Sequence, residues 1–233
     1  WFRTHRSLGS KDRRRVSDAV YDIIRYGDFL RHAGFHSPEE LMNGWLLLQQ
    51  GERFPHLVNQ DPIQDLSIAL SVPKWMISDW HQQLGLDGCA KLVEMLSKRA
   101  SVQVRSYPHK IDRKALQEKL LEEGISNTII PNTAHGLTLT QRCNIQASQS
   151  FRTGFLEVQD SASQRFCEAL APSINSDILD YCAGAGGKSL LLASQGAKVF
   201  INDPRDKALQ QAHSRAQRAG IKLYEGRPKQ IDT

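Results

Sequence analysis

The sequence predicts an α/β chain in which a helical first hundred residues lead, through a short α+β segment, into alternating strands and helices. Three observations carry that prediction. Apolar residues recur at helical spacing, with short connections, up to about residue 100. The period then shifts, because Val102 and Val104 alternate with polar residues as in a half-buried strand. From Phe155 onward strands alternate with helices across glycine turns, which implies a parallel, Rossmann-like sheet. The domains expected are 1–100, 101–150 and 151–233.

The helical part begins at Ser10, a candidate cap for a helix carrying Val16, Ala19, Val20, Ile23 and Ile24. Ser37-Pro-Glu-Glu40 reads as a capping box with proline at the first helical position, and Gly51 lies past that helix's end. Further helices are expected from Pro62 to Leu70, from Pro73 to Gly85 with Trp75, Ile77, Trp80 and Leu84, and from Ala90 to Arg99. In the middle segment Asp112 can cap a helix that ends at Gly124, and Thr128–Ile130 and Gly136–Leu139 read as strands. The last segment starts with a strand at Phe155–Val158 and a helix at Ser161–Leu170. A buried strand at Ile178-Leu179 leads into a glycine turn and a helix to Ser194. The strand Val199–Ile201, a helix from about Arg205 to Ala219 and a third strand beginning at Ile221–Tyr224 follow.

Composition narrows the class. The chain has 233 residues and is 40% hydrophobic, enough for real cores in two domains, or in two small ones plus part of a third. No apolar run approaches the roughly 20 residues that cross a bilayer, so a soluble, cytoplasmic protein is expected. Cys89, Cys143, Cys167 and Cys182 are scattered with no Cys-x-x-Cys pair, which argues for free thiols and against a zinc site. The net charge of +5 hints at a polyanionic partner.

The chemistry concentrates in Asp180-Tyr-Cys-Ala-Gly-Ala-Gly-Gly-Lys-Ser189, a glycine-rich turn between a strand and a helix. Glycine lets a ligand approach bare backbone, and the helix N-terminus offers unpaired N–H groups. Three ligands compete for such a turn. A nucleotide phosphate fits Gly187-Lys188-Ser189, but a P-loop would need its first glycine where Cys182 stands. A dinucleotide fits Gly184-x-Gly186, but Ser189 replaces the third small residue. S-adenosyl-L-methionine needs close backbone approach plus an acid for the ribose hydroxyls. Asp203, at the end of the next strand about twenty residues on, suits that role. Asp203 reads equally well as a helix cap before Pro204. Turn and acid together favour the methyl donor.

Asp180-x-Cys182-Ala-x-x-Gly-Gly-Lys188 resembles the first motif of the Sun-type (RsmB-like) RNA cytosine-5 methyltransferases. Gly154-Phe-Leu-Glu-Val-Gln-Asp160-Ser-Ala-Ser163 and Leu8-Gly-Ser-Lys-Asp-Arg13 resemble two further segments of that family. The second lies in the family's N-terminal domain, which is similar to the antiterminator NusB. The resemblance implies an S-adenosyl-L-methionine-dependent methyltransferase sheet, incomplete here, behind an all-α NusB-like domain and a small α+β segment. It implies that Cys182, Ala183, Gly184, Ala185, Gly186, Gly187 and Lys188 line the cofactor, that Asp203 holds the ribose, and that Gln159 and Asp160 support the pocket. Two departures stand out: Ala185 replaces the usual proline, and Ala208 stands where an arginine is frequent.

The family's reaction needs a cysteine thiolate that adds to carbon 6 of cytosine and makes carbon 5 nucleophilic. The Asp-x-Pro-Cys and Thr-Cys motifs that supply the family's cysteines do not occur in the chain. No catalytic residue is therefore expected among its own cysteines, which read as core or as part of the cofactor loop. The residues from 151 onward, about 80 of them, would leave a sheet with a bare edge, so a longer parent enzyme is expected. Lys11 and Arg13-Arg-Arg15, flanked by Arg3, Arg6 and Arg25, form a basic cluster. Charge runs are usually solvated faces, but the resemblance favours phosphate contact with RNA, ribosomal RNA being the substrate class. The alternative is an RNA-binding module with a vestigial cofactor pocket and no catalysis.

Overall fold

The first helix, α1 (Ser10–Arg25), begins one residue earlier than a Ser10 cap allows. The Gly9 carbonyl already accepts the Arg13 N–H at 3.0 Å, so Gly9 is the cap and Ser10 the first helical residue. The computed structural model describes residues 4, 7, 9–52, 61–98 and 100–226. Leu8, Arg3, Arg6 and Arg99 of the sequence reading lie outside them. The chain divides into two units, Trp1–Arg99 and Ala100–Thr233.

In the first unit α1 is followed by α2 (Gly27–His32), α3 (Pro38–Gln49), α4 (Pro62–Ala69) and α5 (Lys74–Ser97). The expected capping box forms: Ser37 Oγ accepts the Glu40 N–H at 3.2 Å and Glu40 Oε2 accepts the Ser37 N–H at 2.9 Å. Trp45 Nε1 on α3 donates to Asp22 Oδ2 on α1 at 3.2 Å, so α3 covers the α1 face that carries Ala19 and Asp22. Val20 and Ile24 lie off that face and stay exposed, which corrects the broader apolar stripe read from the sequence. Gly85 leaves helical geometry with φ +68° and splits α5 into two segments. The second segment starts directly after this glycine rather than at Ala90. Leu30, Ile77, Cys89 and Val93 fill the core of this unit.

The second unit holds two sheets. Strands β1 (Gln103–Ser106), β2 (Asn127–Ile129), β3 (Gly136–Leu139) and β4 (Leu156–Val158) form an antiparallel sheet in the order β2-β3-β1-β4. Helix α6 (Arg113–Glu122) follows β1, capped by Asp112 as expected, and buries Leu116 and Leu120 against Val104, Leu137 and Leu156. The strand at Leu156–Val158, expected to open the parallel segment, instead pairs antiparallel with β1, setting Arg105 opposite Glu157. Burial explains the placement, because Leu156 completes the core beneath α6. A short helix α7 (Gln149–Arg152) precedes β4, and α8 (Ser161–Leu170) follows it under an Asp160 cap.

The second sheet is parallel, in the order β5-β6-β7, from β5 (Asp177–Asp180), β6 (Lys198–Ile201) and β7 (Tyr224–Glu225). Helix α9 (Gly187–Ser194) joins β5 to β6, and α10 (Asp206–Ala219) joins β6 to β7. Leu190, Leu191, Val199, Ile201, Ala212 and Ala216 form the core between helices and sheet. Ile178 and Leu179, read as a buried strand, are only half-buried, because β5 has a single neighbour in this sheet among the described residues.

Candidate functional site

The glycine turn sits where β5 ends, at the carboxyl edge of the parallel sheet. Backbone bonds continue the pairing past the strands: Asn202 N–H donates to the Asp180 carbonyl and Ala183 N–H to the Asn202 carbonyl, both at 3.0 Å. The Asn202 amide adds a bond to the Tyr181 carbonyl at 3.1 Å. Ser189, fully buried in the first turn of α9, donates to Asp180 Oδ2 at 2.6 Å and ties the helix start to the strand end. Gly186 N–H donates to the Ala183 carbonyl at 2.9 Å, closing a tight turn whose second residue, Gly184, has φ +54°. That combination favours glycine at position 184. Gly186 has φ +76°, and a Cβ there would come within 3.0 Å of the Ala212 Cβ on α10.

Asp203 follows β6 and reaches the turn directly: the Gly184 N–H donates to its Oδ2 at 2.8 Å. Thus the two features that the sequence separates are hydrogen-bonded to each other. The Asp203 side chain is 2% exposed. Its Oδ1 accepts the Arg205 N–H at 3.0 Å, and the Arg205 guanidinium grips both oxygens, Nε to Oδ1 at 2.9 Å and Nη2 to Oδ2 at 3.0 Å. The Arg205 fork and these backbone donors hold the carboxyl far below the usual carboxylate range. The cap of α10 is Arg205, so Asp203 is not that helix's cap.

The other expected residues fall in three places. Cys182 is exposed beside the turn, while Ala183, Gly184 and Ala185 are half-buried within it, with Gly186 as the α9 cap and Gly187 and Lys188 in its first turn. Gln159 Oε1 accepts Arg105 Nε, and Asp160 accepts the Ser163 N–H at 3.0 Å as the α8 cap. Both are therefore committed to contacts around α8 and β1. Burial pushes the Cys167 thiol up to about 11, against the thiolate that a nucleophile requires, and also raises Cys143.

Sequence reasoning missed the two arginines gathered on Glu157, one of which reaches the turn. Arg215 on α10 donates from Nη1 to the Ala185 carbonyl, and its Nη2 lies 3.3 Å from Glu157 Oε1 on β4. Glu157 is buried, and its Oε2 also receives Arg218 Nη2 at 2.7 Å and the Tyr107 hydroxyl at 3.2 Å. The available signal was two arginines three residues apart on the helix after the second strand. Beside them a cavity of about 680 Å³ opens between Ala185, Glu157, Lys207, Gln211 and Arg215.

In the helical unit Lys11, Arg14, Arg15 and Arg25 line a second cavity of about 500 Å³ with Trp45 and Gln49. Asp18 and Asp22 share that lining and Arg13 is not part of it, so the concave surface carries both signs of charge.

Residues 72–146 match the family model described as "Methyltr_RsmF/B-like, ferredoxin-like domain". Over 178 residues, the chain is 26% identical to the probable ribosomal RNA small subunit methyltransferase B of Bacillus subtilis, covering 75% of this chain but 38% of that relative. The chain therefore spans well under half the length of that curated relative. The fold is similar to that of a methyltransferase homolog protein from Pyrococcus horikoshii, with a TM-score of 0.64 at 22% identity, covering 71% of this chain and 55% of the other. It is also similar to NSun6 from Pyrococcus horikoshii with SFG, with a TM-score of 0.56 at 13% identity, covering 65% of this chain and 64% of the other.

Proposed function

We propose that this chain, a relative of the Sun-type (RsmB-like) RNA methyltransferases, carries the cofactor half of an S-adenosyl-L-methionine-dependent RNA cytosine-5 methyltransferase acting on ribosomal RNA. One observation carries the reading: the glycine turn and Asp203 are joined by the Gly184 N–H to Asp203 bond at the carboxyl edge of a parallel sheet. Ligands of open α/β sheets bind outside that edge. The residues suit a cofactor with ribose hydroxyls and an amino-acid end. Asp203 supplies a carboxylate held ionised, and the turn supplies bare backbone next to it.

Bound there, the cofactor would supply an electrophilic methyl group. Cys182 to Lys188 would line its methionine side and Asp203 its ribose. The chain's own cysteines are assigned no catalytic part; in the family it resembles, Asp-x-Pro-Cys and Thr-Cys motifs supply the nucleophile. The helical unit is assigned a NusB-like role in RNA binding, with Lys11, Arg14 and Arg15 meeting phosphates.

A second reading is an RNA-binding module whose pocket no longer takes the cofactor. The closure of Asp203 by Arg205 favours it. Calorimetry of the full chain with S-adenosyl-L-methionine and S-adenosylhomocysteine separates the two. Saturable binding that Asp203→Ala weakens at least tenfold supports the first reading. Absence of binding by the folded wild type leaves the second.

A further inference from the structure

We infer that Arg215 is a positioning residue that sets the glycine turn through the Ala185 carbonyl, an inference that deepens the cofactor reading and rests on it for the ligand concerned. The turn consists of three consecutive peptide planes. The Ala183–Gly184 plane is held by its N–H, which donates to Asp203 Oδ2. The Ala185–Gly186 plane is held at both ends, its N–H by the Ala183 carbonyl and its carbonyl oxygen by Arg215 Nη1. The Gly184–Ala185 plane between them has no hydrogen-bond partner among the described residues, and it is the plane left to a ligand. Its orientation follows from its two neighbours. Only one of those three hydrogen bonds comes from a side chain outside the cofactor edge of the sheet, and that side chain is Arg215.

Arg215 is itself held in place. Its Nη2 faces Glu157 Oε1 at 3.3 Å, and the buried Glu157 is fixed independently by Tyr107 and Arg218. Arg215 stands one helical turn beyond Ala212, the residue that packs against Gly186, so one face of α10 meets the turn twice. A planar guanidinium bridging a carboxylate and a carbonyl has little freedom left. Ala185 contributes no stiffness of its own. Its φ is not positive, and its N–H donates to no described residue. Proline at position 185 would forfeit no hydrogen bond to a described residue, and would restrict the same plane from within.

Arg218 is the control. It shares Glu157 but stacks over the Phe151 ring at 3.9 Å instead of reaching the turn. The test uses the full chain as wild type, Arg215→Gln, Arg215→Lys, Arg218→Gln, and the double variant Ala185→Pro with Arg215→Gln. Hydrogen exchange at the Gly186 amide reads the clamp without any cofactor. Arg215→Gln should speed it about tenfold, the loss expected of one charge-assisted bond, and Arg218→Gln should not. Calorimetry with S-adenosylhomocysteine reads the consequence. Arg215→Gln should bind about tenfold more weakly, Arg215→Lys should recover part of the loss, and the proline double variant most of it. Unchanged exchange in Arg215→Gln, or an equal affinity loss in Arg218→Gln, overturns the inference. A wild type with a protected Gly186 amide that binds no cofactor overturns the cofactor reading and leaves the clamp standing.

Discussion

Arg205 and Asp203, two residues apart, form a two-pronged ion pair in which one partner is 71% exposed and the other 2% exposed. With the Gly184 and Arg205 backbone amides, the guanidinium fills all of the roughly four acceptor positions that a carboxylate has. A ribose can reach Asp203 only if the Arg205 side chain swings out into solvent. Removing that competitor with Arg205→Ala should tighten S-adenosylhomocysteine binding a few-fold, since exposed pairs are weak. Calorimetry checks it; weaker binding would mean that Arg205 holds the ligand instead.

The same pair has a signature in pH. The Asp203 carboxyl titrates below its ordinary value of 3.8 because Arg205 and the Gly184 amide favour the ionised form. A depressed folded-state value means that the stabilisation is present above pH 3.8 and disappears as pH falls through the lower, folded value. Carboxyl-carbon NMR of Asp203 should show a midpoint that moves up toward 3.8 in Arg205→Gln. An unmoved midpoint would assign the depression to the backbone donors alone.

Glu157 should matter more to stability than any surface charge. Truncation to alanine leaves Arg215 and Arg218 facing each other, both about four-fifths covered, with no carboxylate between them. Breaking such a pair costs about 3–5 kcal/mol. Urea unfolding of Glu157→Ala, followed by circular dichroism, should report a loss of that order.

Gly186→Ala combines two penalties: a left-handed backbone and a Cβ pressed to 3.0 Å from Ala212. The first alone costs upward of about 1 kcal/mol. The fold should survive, because the one tight contact added to the core is with Ala212, while S-adenosylhomocysteine binding is lost. Retained affinity would count against the turn as the binding element.

Thiol chemistry should follow burial. Cys182 is exposed, whereas Cys89 and Cys167 are fully buried and the Cys167 thiol is pushed up to about 11. Mass spectrometry of iodoacetamide-treated native chain should find Cys182 modified first and Cys89 and Cys167 only after unfolding. S-adenosylhomocysteine should slow the Cys182 reaction.

What could be read from the sequence was what is written locally. Gly184, Gly186 and the apolar runs on either side announce strand, turn and helix because positive φ selects glycine and burial selects period. Asp203 was recognisable from its distance along the chain. Its Arg205 partner was not, because that pairing depends on where the Gly184 amide turns the carboxylate. Leu156–Val158 was visible as a strand, but a three-residue strand carries no record of its neighbour. Its place beside β1 is decided by the core under α6. The Glu157 cluster was invisible for the same reason: its arginines lie on a helix of the other sheet. Ser10 failed as a cap by one residue, since the Gly9 carbonyl completes the first turn unaided.

That cluster also dates the assembly of the unit. Glu157 enters the chain with β4, but Arg218 follows 61 residues later. When the antiparallel sheet is complete, Glu157 has the Tyr107 hydroxyl as a partner and still lacks both arginines. Docking of α10 brings both guanidinium groups to Glu157 and the Arg215 guanidinium to the Ala185 carbonyl. The turn that would recognise a ligand thus takes one of its restraints from a residue 30 positions further along the chain, and its shape depends on α10 being in place.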